Sequence, residues 1–339
     1  MDNSEVTIHD IAEILGINSS TVSRALNNSS RVAKKTKEKI INKANELGYQ
    51  RNHLASNLRK SKTFTLGVIV PRISRQFFSS AIAGIEETAF KSGYNVIICQ
   101  SLESLEREHS IVDTLLANRV DGVLISISME TKNYNHLQGL KQRNIPIVFF
   151  DRHCNIPGNS NVVINDFEAA FTAAEHLISK KCKEISHFAG PQNLEIYKNR
   201  FRGYQAALEK HSLPFRKELV ITSRLMEKDG SDNVKKMLAL PYKVDGIFCA
   251  NDVVAIGSIK YLKKQNIRIP EDVAVVGFSN ESISSVIEPA LTTINQPGLE
   301  IGITATNLLL EKIVNESKNL VSETIIVKTN LIERKSTLG

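Results

Sequence analysis

From Phe64 onward, apolar runs of strand length alternate with longer amphipathic stretches of helical period, and this alternation limits the possible folds more than any other feature. Leu66 to Val70 precedes Phe77 to Lys91, Val96 to Cys99 precedes Glu106 to Asn118, and Gly122 to Ile127 follows. The rhythm resumes in Ile147 to Phe150, Phe167 to Lys180, Ile185 to Phe188, Tyr197 to Lys210, Gly246 to Ala250, Asp252 to Lys264 and Val273 to Phe278. Strands buried on both faces read as continuous apolar runs, and parallel neighbours need a crossover, usually helical. The pattern therefore predicts an α/β unit with parallel sheets, and its length predicts two doubly wound subdomains.

Ligands of such sheets sit beyond the carboxyl ends of the strands. Those ends carry Pro71-Arg72-Ile73-Ser74, Asp151-Arg152-His153, Gly190-Pro191, Asn251-Asp252 and Ser279-Asn280. The chain holds no G-x-G-x-x-G after a strand, no G-x-S-x-G elbow, no G-x-x-x-x-G-K-[ST] loop and no H-E-x-x-H, so no enzyme chemistry is expected. Cys99, Cys154, Cys182 and Cys249 form no C-x-x-C pair and read as reduced core cysteines. His153 beside Cys154 reads as loop and core, so no metal and no cofactor is predicted.

The first 62 residues have a different character. They carry 11 Lys/Arg against 6 Asp/Glu, which is +5 of the net +7, whereas the other 277 residues hold 32 against 30. A basic head on a near-neutral body is the electrostatic outline of a polyanion-binding module, although a solvated basic surface has the same charge. Thr7 and Asp10 have capping-box spacing, and Ile8, Ile11, Ala12 and Leu15 repeat with helical period up to Gly16. Asn18 suits the N-cap of a second helix, Ser19 to Asn27, whose Val22, Ala25 and Leu26 face the first. So tight a turn makes a helix-turn-helix. The outward face of the second helix offers Ser19, Ser20, Ser23 and Arg24 for reading base edges in a major groove. A third helix from about Lys34 to Leu47 places Ile40, Ile41, Ala44 and Leu47 inward and stops at Gly48. Thr7, Arg31, Lys34 and Thr36 are the candidate phosphate contacts. A small three-helix bundle that binds no nucleic acid has the same spacing.

The run from Val6 to Leu58 resembles the headpiece of the LacI/GalR family of repressors, in Ile11-Ala12, Gly16-Ile17, Thr21-Val22-Ser23-Arg24 and Glu46-Leu47-Gly48-Tyr49. Asn52 to Leu58 resembles that family's hinge helix, which orders on operator DNA and enters the minor groove. The resemblance implies minor-groove roles for Ala55, Leu58 and Arg59, with Leu58 as the wedge. Arg51 stands where the family usually has Pro. The remaining length resembles the family's effector domain, related to periplasmic sugar-binding proteins, in Val120-Asp121-Gly122, Arg200 to Gly203-Tyr204, Ala250-Asn251-Asp252, Val276-Gly277-Phe278 and Leu291-Thr292-Thr293-Ile294 before Gln296-Pro297.

The resemblance implies a headpiece over 1–50, a hinge over 51–62 and an effector domain over 63–339. Its subdomains are expected at about 63–163 plus 293–322 and about 164–292 plus 323–339. Asp151, Arg200 and Asn251 would hydrogen-bond ligand groups and Phe77 and Phe78 would stack on a ring, with Ile73, Ser279 and Gln296 completing the expected effector set. Phe77 and Phe78 also fit a core role, and Asp151 also fits a cap or a pair with Arg152. Ser279 stands where the family often has an Asp that binds sugar hydroxyls, which puts a standard sugar effector in question.

The expected function is a sequence-specific transcription regulator, a repressor in the first instance. It would grip a pseudo-palindromic double-stranded DNA operator as a homodimer under control of a small-molecule effector such as a sugar or its metabolite. The start lacks a charged leader and the end lacks a heptad tail, so a cytoplasmic dimer with no membrane contact is expected. The rival from another class is a solute-binding protein or sugar-processing enzyme with a vestigial head. The first should carry a leader, and the second should show a nucleophile or an acid-base pair.

Overall fold

The computed structural model describes residues 6–49, 62–153, 159–315 and 322–338. The chain divides into two compact units, Met1–Lys62 and Thr63–Gly339. In the first, α1 (Ile8–Leu15) begins at a complete capping box: the Thr7 hydroxyl accepts from the amides of His9 and Asp10, and the Asp10 carboxylate accepts from the Thr7 amide at 2.7 Å. Gly16 ends the helix at φ 61°, a left-handed conformation that glycine adopts without Cβ strain. In α2 (Ser19–Leu26) the Asn18 side chain caps the Ser20 amide, and α3 (Lys34–Glu46) follows. Ile11, Val22, Ala25 and Ile40 close a small core. Ile41, expected inward, is 39% exposed. Ile40 and Ala44 define the buried stripe, and a residue one step from Ile40 is rotated about 100° away from it.

In the second unit the chain runs β1 (Thr65–Val70), α4 (Gln76–Lys91), β2 (Asn95–Gln100), α5 (Leu105–Ala117), β3 (Gly122–Ile125), α6 (Gln138–Gln142), β4 (Ile147–Phe150), β5 (Ser160–Ile164), α7 (Asp166–Ser179), β6 (Ile185–Ala189) and α8 (Glu195–Lys210). It continues through β7 (Val220–Thr222), α9 (Glu227–Leu238), β8 (Gly246–Cys249), α10 (Asp252–Lys264), β9 (Ala274–Ser279), α11 (Ile283–Val286), β10 (Thr292–Asn295), α12 (Gly298–Val314), β11 (Thr324–Val327) and β12 (Asn330–Ile332). Two six-stranded sheets result, in the orders β11-β5-β4-β3-β1-β2 and β12-β10-β9-β8-β6-β7. Every pairing is parallel except that of β10 with β12.

The expected subdomain limits shift where the chain passes between the sheets. β10 pairs with β9 and so belongs to the second lobe, not to a first-lobe segment starting at 293. β11 pairs with β5 in the first lobe, not in a second-lobe segment starting at 323. A run of apolar residues announces a strand but does not say which sheet edge receives it. The helix α12 packs back on α4 of the first lobe, where a Cβ on Gly302 would lie 2.1 Å from the Ala81 carbonyl oxygen, so only a glycine fits so close an approach. Helices cover both faces of the first-lobe sheet, and segments that follow strands of both sheets supply the wall of one cleft.

Candidate DNA-reading helix and ligand cleft

In the first unit, burial of Val22 and Ala25 turns the opposite face of α2 outward. Ser20 and Arg24, one turn apart, are exposed, and Ser19 and Ser23 are half-buried beside them. This is a short-hydroxyl and guanidinium face of the kind that fits base edges. Among the described residues no carboxylate lies within salt-bridge distance of Arg24, Arg31 or Lys34, whereas Lys43 is held by Glu46 at 2.8 Å and Lys37 donates to Asn28 at 2.6 Å. Helix α3 begins without a side-chain cap and has no acid in its first turn. Its leading amides, beside exposed Lys34 and half-buried Thr36, form an anion-accepting terminus. Thr7 is exposed but its hydroxyl is engaged with Asp10 at 2.8 Å, so any phosphate contact there competes with the cap. The hinge residues Ala55, Leu58 and Arg59, like Arg51 and Cys154, lie outside the described residues.

In the second unit the cleft has a volume of about 230 Å³. Its wall holds seven of the eight expected residues: Phe77, Phe78, Asp151, Arg200, Asn251, Ser279 and Gln296. Ile73 is the exception. It is 39% exposed and does not line the cleft, because the β1 loop turns Arg72 and Arg75 toward the ligand space instead. Phe77 and Phe78 are nearly buried in the first-lobe core, edge to face at 5.1 Å, as the core reading expected, and both also line the cleft.

Bonds within the protein hold the polar groups of the wall in place. Arg200 on α8 donates through Nε to Asp166 at 2.7 Å and through Nη1 to the Ala250 carbonyl at 2.7 Å, with its guanidinium 3.6 Å from the Phe278 ring centroid. These bonds use two of its five N–H groups. Burial drives the Asp166 carboxyl up to about 6, with the adjacent Arg200 charge offsetting part of that rise. Asn251 caps α10 by accepting from the Val254 amide at 2.9 Å and reaches the Leu225 carbonyl at 3.1 Å.

Asp151 sits at φ 59° where β4 ends, and its carboxylate accepts from Gln296 Nε2 at 2.7 Å. Burial raises its pKa, against the pull of Arg152 and Arg200. Gln296 in turn accepts from the Ser279 hydroxyl at 3.2 Å, so Ser279, Gln296 and Asp151 form a chain linking β9 and β10 of the second lobe to β4 of the first.

Several wall residues were not anticipated. Arg152 makes a two-pronged pair with Glu103 at 2.7 and 3.0 Å, and Tyr197, Arg224 and Glu281 join Arg72 and Arg75 around the opening. Arg72 and Arg152 lie within the strand-end segments that the fold pattern singles out, but neither was placed in the expected effector set. Arg224 follows β7, three residues long and too short to register as an apolar run. The lobes also meet at the rim, where Arg75 Nη2 donates to the Leu225 carbonyl at 3.3 Å and Asn193 Nδ2 to the Met129 carbonyl at 2.7 Å.

A helix-turn-helix unit and a two-lobed cleft together match two family descriptions: bacterial regulatory proteins of the lacI family over residues 7–52, and periplasmic binding proteins and sugar binding domain of LacI family over residues 63–335. The chain belongs to the LacI family. As a LacI-family protein it is a DNA-binding transcription regulator under small-molecule control and not an enzyme. It is 31% identical to the transcriptional regulator RegA of Clostridium saccharobutylicum, covering 98% of this chain and 99% of that protein. It is equally 31% identical to the ribose operon repressor of Halalkalibacterium halodurans, over 98% and 97% of the two chains. Among solved structures it resembles the lac repressor dimer bound to operator and the anti-inducer ONPF, with a TM-score of 0.87, 26% identity and coverage of 99% of this chain and 100% of that one. No helix among the described residues of this LacI-family chain is long and apolar enough to cross a membrane.

Proposed function

We propose that this LacI-family regulator acts in the cytoplasm as a homodimeric repressor whose two heads occupy the half-sites of a pseudo-palindromic operator, with the effector held in the two-lobed cleft. The exposed Ser20 and Arg24 face of α2 carries the reading, because a face of that chemistry on the second helix of a helix-turn-helix has no packing role to explain it. One head offers few base contacts, so genomic specificity requires two. Ser19, Ser20, Ser23 and Arg24 read bases, and Arg31, Lys34, Thr36 and the α1 terminus at Thr7 hold phosphates. Ala55, Leu58 and Arg59 act in the minor groove by the family resemblance.

In the cleft, Phe77 and Phe78 offer apolar surface while Asp151, Arg200, Asn251, Ser279 and Gln296 offer polar groups, so a small polar metabolite is the effector and no further cofactor is invoked. Ligand binding acts by favouring one relative placement of the lobes, and its differential affinity for the two placements limits the shift it can produce. The rim bonds from Arg75 to Leu225 and from Asn193 to Met129 are the contacts such a shift would remake.

Selection of bound sequences from a random DNA pool by the purified protein tests the reading. A palindromic motif supports it, whereas no enrichment with and without cell-extract metabolites would refute it.

A further inference from the structure

We propose that the effector is a small anion bearing a phosphate or a carboxylate, and that Arg72, Arg75 and Arg224 receive that group at the mouth of the cleft. This deepens the functional reading above by naming the ligand class of the same cleft, and it rests on that reading for the cleft's role.

The argument follows the charges. Five arginines line the cleft against three carboxylic side chains, Glu103, Asp151 and Glu281. Two of the arginines are already matched: Arg152 by its two-pronged bond to Glu103, and Arg200 by its bond to Asp166 behind the wall. For Arg72, Arg75 and Arg224 no carboxylate lies within salt-bridge distance among the described residues. Among the described residues the Arg75 side chain donates to the Leu225 carbonyl and the Met226 thioether.

Of the two remaining acids, Asp151 is buried and held by Gln296 and Ser126, and burial pushes it toward its neutral form. Glu281 is half-buried and feels the Arg75 charge, and Glu103, already engaged by Arg152, feels that of Arg72, yet neither is in salt-bridge contact with those guanidiniums and Arg224 faces neither, so the opening keeps an excess of positive charge. Arginines without salt-bridge partners around a concave site favour oxyanions, because the planar guanidinium fork matches two oxygens of a carboxylate or phosphate. Ser279 adds a neutral hydroxyl to the wall. Phe77, Phe78 and Tyr197 leave apolar surface for the body of the molecule.

Calorimetry on the full-length chain with matched probes tests this. Inorganic phosphate, glucose 6-phosphate and ribose 5-phosphate form one arm, citrate and gluconate a second, and glucose and ribose the neutral control. At least one anionic probe is expected to bind with Kd below about 1 mM and at least about tenfold tighter than the neutral sugars, and whichever arm binds separates phosphate from carboxylate. Arg72→Gln and Arg224→Gln, with melting temperatures unchanged, should each weaken that binding by about tenfold or more, and added salt should weaken it further. Three outcomes overturn the inference: neutral sugars binding as well as their charged counterparts, no anionic probe binding at that concentration, or binding indifferent to both substitutions. DNA selection is an independent readout. A palindromic motif together with failed anion binding removes only the ligand class, whereas anion binding without DNA enrichment removes the regulator reading and spares the site.

Discussion

Arg200 illustrates how single side chains are committed in this protein. It is 3% exposed, and its partner Asp166 is equally shut from water. Removing one member of a buried pair strands the other, at a cost of about 3 to 5 kcal/mol. Arg200→Ala should therefore destabilise the fold by about 3 kcal/mol near neutral pH. The loss should shrink as pH falls toward 5, because the stranded Asp166 carboxyl, already raised to about 6, takes up a proton. Urea denaturation at several pH values measures this, and a loss independent of pH would refute it. His187 works in the opposite sense. It is enclosed between the Phe248 ring at 4.7 Å and Tyr204 at 5.2 Å, and burial lowers its pKa from 6.5 to about 4. The unfolded chain then binds a proton that the folded chain refuses, so stability is full above pH 6.5 and falls by up to roughly 3 kcal/mol as pH drops toward 4. His187→Gln should flatten that acid limb in thermal melts, and an unchanged slope would count against it. On the head, Arg24→Ala should cost about 1 to 3 kcal/mol of discrimination between operator and random DNA, whereas Lys34→Ala should weaken both alike and lower the salt slope. Fluorescence anisotropy titrations distinguish these, and equal loss on both DNAs for Arg24→Ala would contradict a base-reading role.

At the scale of elements, close helix packing depends on positions where no side chain fits. A Cβ on Gly302 would meet the Ala81 carbonyl oxygen at 2.1 Å, and one on Gly257 would meet that of Glu227 at 2.0 Å. Both contacts are with backbone, which yields little. Gly302→Ala should therefore push α12 from α4 and destabilise the effector unit by about 1 to 3 kcal/mol, seen as a lower melting temperature with the head's own stability unaffected. The elements themselves were legible wherever they were capped and periodic or uniformly apolar: α1 with its capping box and Gly16 stop, α2 after Asn18, and β4 and α10 to the residue. The strands β5, β7, β11 and β12 were not, because each mixes polar residues with only two or three apolar ones, too little pattern to separate a strand from a loop. The cost of missing β7 was Arg224, since the rule for finding ligand residues searches only behind strands already recognised.

For the molecule as a whole, a pseudo-palindromic operator demands a dimer, and light scattering at micromolar concentration should report twice the chain mass. A stable monomer or tetramer would refute the dimeric reading. What the sequence determined by itself was whatever depends on near neighbours in the chain: helix caps, apolar periodicity, the basic character of the first 62 residues and the alternation that forces parallel sheets. Those signals are local because caps and faces are made by residues three or four apart. Which sheet receives β10 and β11 was decided only by the tertiary structure, because strand pairing joins segments far apart in sequence. The state of the cleft was decided there too. Asp166 neutralises Arg200 across 34 residues and Glu103 neutralises Arg152 across 49, and only when those pairs are formed does it emerge that Arg72, Arg75 and Arg224 have no carboxylate within salt-bridge distance among the described residues. Charge compensation falls off with distance in space and not along the chain, so no reading of spacing alone reveals it.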